Sequence, residues 1–339
     1  MPEASAPGKL LLSGEYAVLR GAPAVSVSVG ARALARVEQL TGPAALFDAA
    51  SGTSWPFDWT PEAGLLWLAE DPGERGRLPA AVLDTLAGIP GLPAWPKHCR
   101  LQLDSDAFTA GQSKYGLGSS AALTVALTAV AAELLGLPTD RAALAPIAAR
   151  AHRLFQRGSG SGVDVLTALH GGLVCVQPDQ EPPQAEALRW PSGLSMVIAW
   201  SGRPASTPAL IAAFDRFAAS DSATGLLDAL EGSAGEAAAA WRAADIGQIL
   251  RCTGNYASSL AALDEAGNIG IVTDEHRRLA DISAAAGAVY KSSGAGGGDL
   301  GFALTDSPST ASRLRQDFAA AGFDVLDMET VVSGLELSR

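Results

Sequence analysis

The sequence predicts an α/β or α+β protein with room for two domains or one large one. Three observations carry this. Short β-type apolar runs and alanine-rich helical runs interleave along all 339 residues, and 48% of the residues are hydrophobic, enough for a sizeable core. Gly/Ser-rich loops stand at the mouths of helices. One stretch, 178–193, concentrates proline and charge and reads as a linker, giving domains at 1–180 and 194–339 with 181–193 between them.

The elements follow in order. Residues 9–13 (KLLLS) form a strand ending in a turn. Residues 24–29 (AVSVSV) alternate like a strand, and 31–40 continue as another. Residues 51–96 read as irregular, with short helical pieces between prolines, and suggest a peripheral insertion or lid. Trp55, Trp59, Trp67 and Trp95 fall there, and core is their other reading. A strand follows at 100–105. The helix at 121–135 is apolar on nearly every face, so it is buried between layers. Pro138 ends that region, and Thr139 or Asp140 caps a helix over 141–156. GSGSGVDVLTALHGG is a second Gly/Ser loop entering a short helix, and LVCVQ is a strand. After the linker come the strand SMVIAW, the turn SGRPAST and three alanine-rich helical segments between Thr207 and Leu263. A helix over 274–286 precedes the short strands AVYK and LGFALT, which flank SSGAGGGD. A helix at 309–321 and the strand FDVLDM complete the pattern.

A net charge of −12 argues against nucleic acid and anionic membrane as general partners, so any anionic ligand needs a local cluster of positive charge. MPEASAPGK has neither a basic nor an apolar leader region, and the apolar run 123–137 contains Glu133 and is too short to span a bilayer. Cys99, Cys175 and Cys252 are widely spaced and read as buried thiols, so the expected location is the cytoplasm. Of 24 basic residues only Lys9, Lys97, Lys114 and Lys291 are lysines. Three of the four adjoin the small-residue stretches APGKLLLSGEY, SKYGLGSSAA and KSSGAGGGD, where a compact ammonium beside flexible backbone suits phosphate.

SKYGLGSSAAL, residues 113–123, states the chemistry most plainly. The first turn of a helix has unpaired N–H groups and a partial positive charge, and glycines before it let a ligand approach the backbone. Lys114, Tyr115, Gly116, Leu117 and Gly118 lead into Ser119, Ser120 and Ala121, a plausible phosphate cradle. No Walker A loop occurs. Gly116, Gly118 and Ala121 fit a dinucleotide fingerprint, but no strand ends directly before it and no acidic residue closes a second strand after it.

APGKLLLSGEYAVLRGAPAVSVSV, KYGLGSSAALTVAL and KSSGAGGGDLGFAL occur in that order from start to end. This triplet resembles the GHMP small-molecule kinases, the superfamily of galactokinase, homoserine kinase, mevalonate kinase and phosphomevalonate kinase, from Ala6 to Leu304. The Lys-Tyr lead, AHRLFQRGSGSGVDV, WSGRPAST and SSGAGGGDLGFAL resemble its bacterial phosphomevalonate kinase branch, except that Leu300 stands where relatives often have cysteine. The resemblance implies an α+β, two-domain fold, with an N-terminal domain like ribosomal protein S5 domain 2 and a ferredoxin-like C-terminal domain. It implies ATP and Mg2+ as cofactors and transfer of phosphate to (R)-5-phosphomevalonate, a small-molecule substrate. The alternatives are mevalonate kinase, the diphosphomevalonate decarboxylase branch, homoserine kinase, or an inactive ligand sensor. A homodimer stays open.

The resemblance places catalysis at Lys9 and Asp164, and ATP phosphates at residues 114–121. It places the acceptor near Glu15, Tyr16, Ser161, Gly162, Arg203, Ser206 and Thr207. The third motif adds Ser293, Gly294, Ala295, Gly296, Gly297 and Asp299. Mevalonate kinases carry a glutamate metal ligand on the helix before the catalytic aspartate. Here no carboxylate lies between Asp140 and Asp164, which makes Ser120 the candidate metal contact, with Glu15 as another source. Residue by residue a plainer reading stands beside each role: Asp164 as a helix cap, Lys9 as a solvated strand end, His152 as a packed or hydrogen-bonded side chain. Tyr16 and Tyr115 either stack on adenine or cover the loop, and Glu15 either orients Lys9 or faces solvent.

Overall fold

A computed structural model describes residues 1–49, 51–110, 113–158, 160–178 and 183–339. Its first lobe grows from one long strand pair. β1 (Glu3–Ser13) and β2 (Ala24–Gln39) run antiparallel, with a register shift between Pro7 and Gly8. The predicted pair 24–29 and 31–40 is thus one strand. Its odd-numbered side chains, Val25 to Val37, are all buried, the period-two pattern of a sheet face packed on a core. β3 (Ala45–Asp48), β4 (Thr53–Thr60) and β5 (Gly64–Trp67) follow, then α1 (Glu74–Ala87) and β6 (Cys99–Asp104). The short pair β7 (Thr109–Ala110) and β8 (Ser113–Lys114) leads to α2 (Ser119–Leu134), α3 (Arg141–Phe155), α4 (Val163–His170), β9 (Leu173–Gln177) and β10 (Gln184–Leu188).

Residues 51–96 are neither irregular nor a lid. β4 and β5 extend the sheet in the order β10-β9-β2-β6-β3-β4-β5, and Phe57, Trp59 and Trp95 are core. The expected linker also carries structure, because β10 lies inside it and pairs with β9; its residues 181–182 fall outside the described residues. α2 lies against β1 and β2 and under α1, α3 and α4. Its alanines and threonines are buried from Ala121 to Ala132, so the helix is held on all sides, and the loop before it has a rigid base.

The second lobe comprises β11 (Ser195–Trp200), α5 (Thr207–Ala218), α6 (Thr224–Ala243), α7 (Ile246–Gly267) and α8 (Asp274–Ala285). β12 (Val289–Ser292), β13 (Leu300–Thr305), α9 (Pro308–Ala320) and β14 (Asp324–Leu326) complete it. The sheet order β12-β13-β11-β14, all antiparallel, with α8 and α9 as the crossover helices, is the split β-α-β pattern of ferredoxin-like domains. Leu279, Leu314 and Phe318 cover one sheet face, while Ile198, Phe302 and Leu304 on the other join the main core with Trp241 and Ile249. After β14 the chain crosses back: β15 (Glu336–Ser338) pairs with Glu3–Ser5 of β1. Among the described residues, no helix is long and apolar enough to cross a membrane.

Candidate active site

The site forms where β1, the starts of α2 and α4, and the 293–299 loop meet. Gly8 lets β1 approach the loop before α2: a Cβ there would lie 2.9 Å from the Leu117 carbonyl oxygen and 2.8 Å from Phe108. The next residue, Lys9, donates its backbone N–H to that same carbonyl at 2.9 Å. Its side chain is buried, and its ammonium lies 3.4 Å from Asp164 Oδ1. Asp164 sits in the first turn of α4, where the helix end favours a carboxylate, and its side chain is one-third exposed. Lys9 is therefore not a solvated strand end.

Gly118 is the N-cap of α2, with φ 78°, and Gly162 is the N-cap of α4, with φ 78°. Both conformations suit glycine. A Cβ on Gly118 would lie 3.3 Å from Lys9 Cε and 3.5 Å from Asp164 Oδ2, so two helix N-termini converge on the Lys9–Asp164 pair. This places unpaired amides beside a buried ammonium, an arrangement suited to a polyanion. Leu117 is buried and anchors the loop, Lys114 is exposed, and Ser119 and Ser120 are half-buried. Ser120 Oγ meets His152 Nε2 at 3.1 Å. Burial holds the His152 pKa below its usual value, so the ring is neutral at pH 7. The helix that lacks a carboxylate thus presents an imidazole to the serine. Ser161 is half-buried just before α4.

Glu15 neither orients Lys9 nor faces solvent. It is buried, pairs with Lys291, and accepts a 3.3 Å hydrogen bond from the Gly294 N–H. Lys291 is fully buried, which pushes its pKa down while Glu15 holds it up. Tyr16 is also turned inward: its hydroxyl donates to the Ala295 carbonyl at 2.5 Å and its ring packs on Phe214. Burial raises its pKa, with Glu15 adding to the effect. Ser293 donates to the Leu11 carbonyl and accepts from its N–H. These three residues, expected at the acceptor, stitch the β1 turn to the 293–299 loop. The Tyr16 ring is packed on Phe214 and Glu15 Oε1 is taken up by Lys291 and the Gly294 N–H. Glu15 Oε2 and Ser13 Oγ are buried without a hydrogen-bond partner among the described residues.

Tyr115 meets Trp200 edge-on, with ring centroids 6.2 Å apart, so it bridges the loop before α2 to the second lobe. Asp299 touches that loop at Gly116. Arg203, Ser206 and Thr207 are exposed along the turn into α5, on the far side of Asp299. Gly294, Gly296 and Gly297 all have positive φ. A Cβ on Gly296 would lie 2.5 Å from the Ile271 carbonyl, so this loop threads tightly against the start of α8. His276, which sequence reading passed over, supports it. Its Nε2 donates to the Gly298 carbonyl and its Nδ1 accepts from the Tyr290 hydroxyl, both at 2.8 Å. Only its place after the Thr273 cap hinted at a fixed position. Among the described residues, no three His, Cys, Asp or Glu side chains converge to hold a metal ion by themselves.

Residues 82–172 match the family model described as GHMP kinases N terminal domain. The chain is 29% identical to phosphomevalonate kinase of Streptomyces sp. (strain CL190), covering 97% of each chain. It is 28% identical to mevalonate kinase of Pyrococcus horikoshii, but over only 62% of this chain and 59% of that one. Among solved structures, Streptococcus pneumoniae phosphomevalonate kinase in complex with phosphomevalonate and AMPPNP superposes with a TM-score of 0.79 at 19% identity, covering 98% of this chain and all of that one.

Proposed function

We propose, for a chain that belongs to the GHMP kinases, that it phosphorylates (R)-5-phosphomevalonate with ATP to give (R)-5-diphosphomevalonate. The observation that carries the acceptor is coverage. Likeness to a phosphomevalonate kinase runs through 97% of both chains, while likeness to the Pyrococcus mevalonate kinase spans 62% of this one. The sequence of the α3 end adds to this: ARAHRLFQRG carries three arginines and no carboxylate, which suits an acceptor bearing both a carboxylate and a phosphate. The expected division into 1–180 and 194–339 becomes a proposal about the reaction: nucleotide on the first lobe, acceptor toward the second, chemistry between them.

The α2 N-terminal amides bind the β- and γ-phosphates. Lys9, fixed by Asp164, lies where negative charge moves during transfer. An acceptor phosphate oxygen attacks the γ-phosphorus, the bond from that phosphorus to the β–γ bridging oxygen breaks, and ADP leaves. The acceptor phosphate has a second pKa of about 6, so no proton need be removed at pH 7. Asp164 then holds Lys9 rather than acting as an obligatory base. Ser120 and Asp164 could share a magnesium ion with the nucleotide phosphates, the usual way magnesium is held, and the ion supplies charge neutralisation there. Arg203, Arg153, Arg157 and Lys114 are exposed cations available to the acceptor's charges.

The test is ADP release measured in parallel with mevalonate, phosphomevalonate, diphosphomevalonate and homoserine. Phosphomevalonate should give the highest kcat/KM. Faster turnover of any of the other three would replace this reading, and no turnover of any would favour the ligand sensor.

A further inference from the structure

Asp299 interrupts a glycine run at a position where glycine would be easier. Its φ is 53°, left-handed like Gly294, Gly296 and Gly297 before it, and an L side chain is disfavoured there. Its carboxyl is also half-buried, and that desolvation raises its pKa. Both features cost stability, so the contacts of this carboxyl explain its presence.

Those contacts reach two other segments. On one side, Asp299 holds the 201–205 turn with three hydrogen bonds. Its N–H donates to the Arg203 carbonyl at 2.7 Å and its carbonyl accepts from the Ser201 N–H at 2.9 Å. Its Oδ1 accepts from the Ala205 N–H at 3.0 Å. On the other side, its carboxyl packs on the phosphate loop: a Cβ on Gly116 would lie 2.4 Å from Oδ2 and 2.7 Å from Cγ. Tyr115, the preceding residue, rests on Trp200, the residue before Ser201. Two consecutive residues of the phosphate loop thus bear on the strand end and turn that lead to Arg203.

We propose that Asp299 is a positioning residue that braces the phosphate loop against the 201–205 turn, so that nucleotide binding orders the acceptor side. The inference rests on the kinase reading above. Nucleotide phosphates seated at α2 fix Gly116. Gly116 fixes the Asp299 carboxyl, and the carboxyl fixes Ala205 and the turn carrying Arg203. Linkage makes the effect reciprocal: acceptor tightens nucleotide by the same factor.

Two variants isolate the side chain. Asp299→Gly suits the left-handed backbone and keeps both main-chain bonds while deleting the brace. Asp299→Asn keeps the acceptor oxygen and the contact with Gly116. Hydrogen–deuterium exchange of peptides covering 199–207 is measured with and without a non-hydrolysable ATP analogue. In the wild type and Asp299→Asn the analogue should slow exchange by about 5-fold or more, the lower end of ordinary coupling. In Asp299→Gly the nucleotide-induced change should fall below about 2-fold. A merely structural role would speed basal exchange in Asp299→Gly and leave the nucleotide-induced ratio intact. Asp299→Ser, which keeps a polar atom but withdraws from Gly116, gives the same reading should the glycine variant not fold. In a second arm, calorimetry compares phosphomevalonate affinity with and without the analogue, expecting a ratio of about 5 in the wild type and near 1 in Asp299→Gly. A nucleotide-induced ratio unchanged in Asp299→Gly, or absent from the wild type, overturns the brace. A wild type that passes the exchange arm but does not bind phosphomevalonate leaves the brace standing and overturns the acceptor instead.

Discussion

Gly118 offers the sharpest test of the phosphate loop, because Gly136 beyond the other end of α2 supplies an internal control. Both have left-handed backbones, φ 78° at Gly118 and 72° at Gly136. An alanine at either position meets strain of about 1–2 kcal/mol, offset by about 0.4–1 kcal/mol through the stiffer unfolded chain. Nothing lies within 4 Å of a Cβ on Gly136, so Gly136→Ala should lose about 1 kcal/mol and nothing else. On Gly118 the Cβ would press on Lys9 Cε at 3.3 Å and Lys9 Cγ at 3.4 Å. Valine adds two methyls to that contact, and overpacking costs about 1–3 kcal/mol more. Lys9 has little room to yield, since its backbone is pinned to Leu117 and its ammonium to Asp164. The first turn of α2 must therefore shift. Gly118→Val should weaken binding of a non-hydrolysable ATP analogue at least tenfold, about 1.4 kcal/mol. Gly136→Ala should melt earlier than the wild type but bind as well. Calorimetric titration and thermal melts on both variants decide it. Unchanged affinity in a folded Gly118→Val, or an equal loss in Gly136→Ala, would refute the reasoning.

Three further outcomes follow from the same geometry. Ser120→Ala removes the hydroxyl facing His152 and should raise the magnesium concentration giving half-maximal rate; if only ATP affinity changes, the serine contacts phosphate and the metal is held elsewhere. Asp164→Asn should cost activity nearer 10-fold than the 10²–10⁴-fold typical of a lost general base, and Lys9→Met should cost more. Rates from pH 5.5 to 8.5 test this, and a 10⁴-fold loss in Asp164→Asn with strong turnover of mevalonate would point to an alcohol acceptor. Burial holds His276 below its ordinary pKa of 6.5. As pH drops below about 6.5 the unfolded chain takes a proton that the folded chain resists, so stability falls with acidification. His152 and His170 are shifted the same way, so His276→Gln should flatten the decline in melting temperature between pH 7 and pH 5 without abolishing it; an identical slope would remove His276 from the account.

That Lys9, the glycine loop before α2 and Asp164 come together was legible because each carries a local signal: glycine before a helix start, a lone lysine, a carboxylate in a first turn. Glu15 was not, because its partner Lys291 is 276 residues away and no pattern near either residue announces the pair. The same holds for Asp299 and Gly116, which meet only after both lobes have folded. The strand β4 did leave a signal in the alternation of Trp55, Phe57 and Trp59, but Pro56 between them resembled a break. Paired with Ala45, it breaks nothing. β10 reads as linker in the sequence because it is an edge strand with exposed or half-exposed side chains, so its charge and proline surroundings outweigh any apolar period.

The pairing of β15 with β1 joins residues made at widely separated times. The hydroxyl of Ser338 donates to the carbonyl of Glu3, 335 positions earlier. Between them the chain also forms single bridges at Val29 with Thr330 and Gly171 with Ser333. During synthesis β1 therefore emerges with one neighbour, β2, soon available, while the opposite edge at Glu3–Ser5 waits for almost the whole polypeptide. Throughout that interval the main-chain groups there are open to another strand. Ser5 and Arg32, which bonds Ser5 and the 333–334 segment together, then act as a late fastening. The first lobe is completed by residues 330–338, so its assembly draws on chain made after the second lobe and not on the first 190 residues alone.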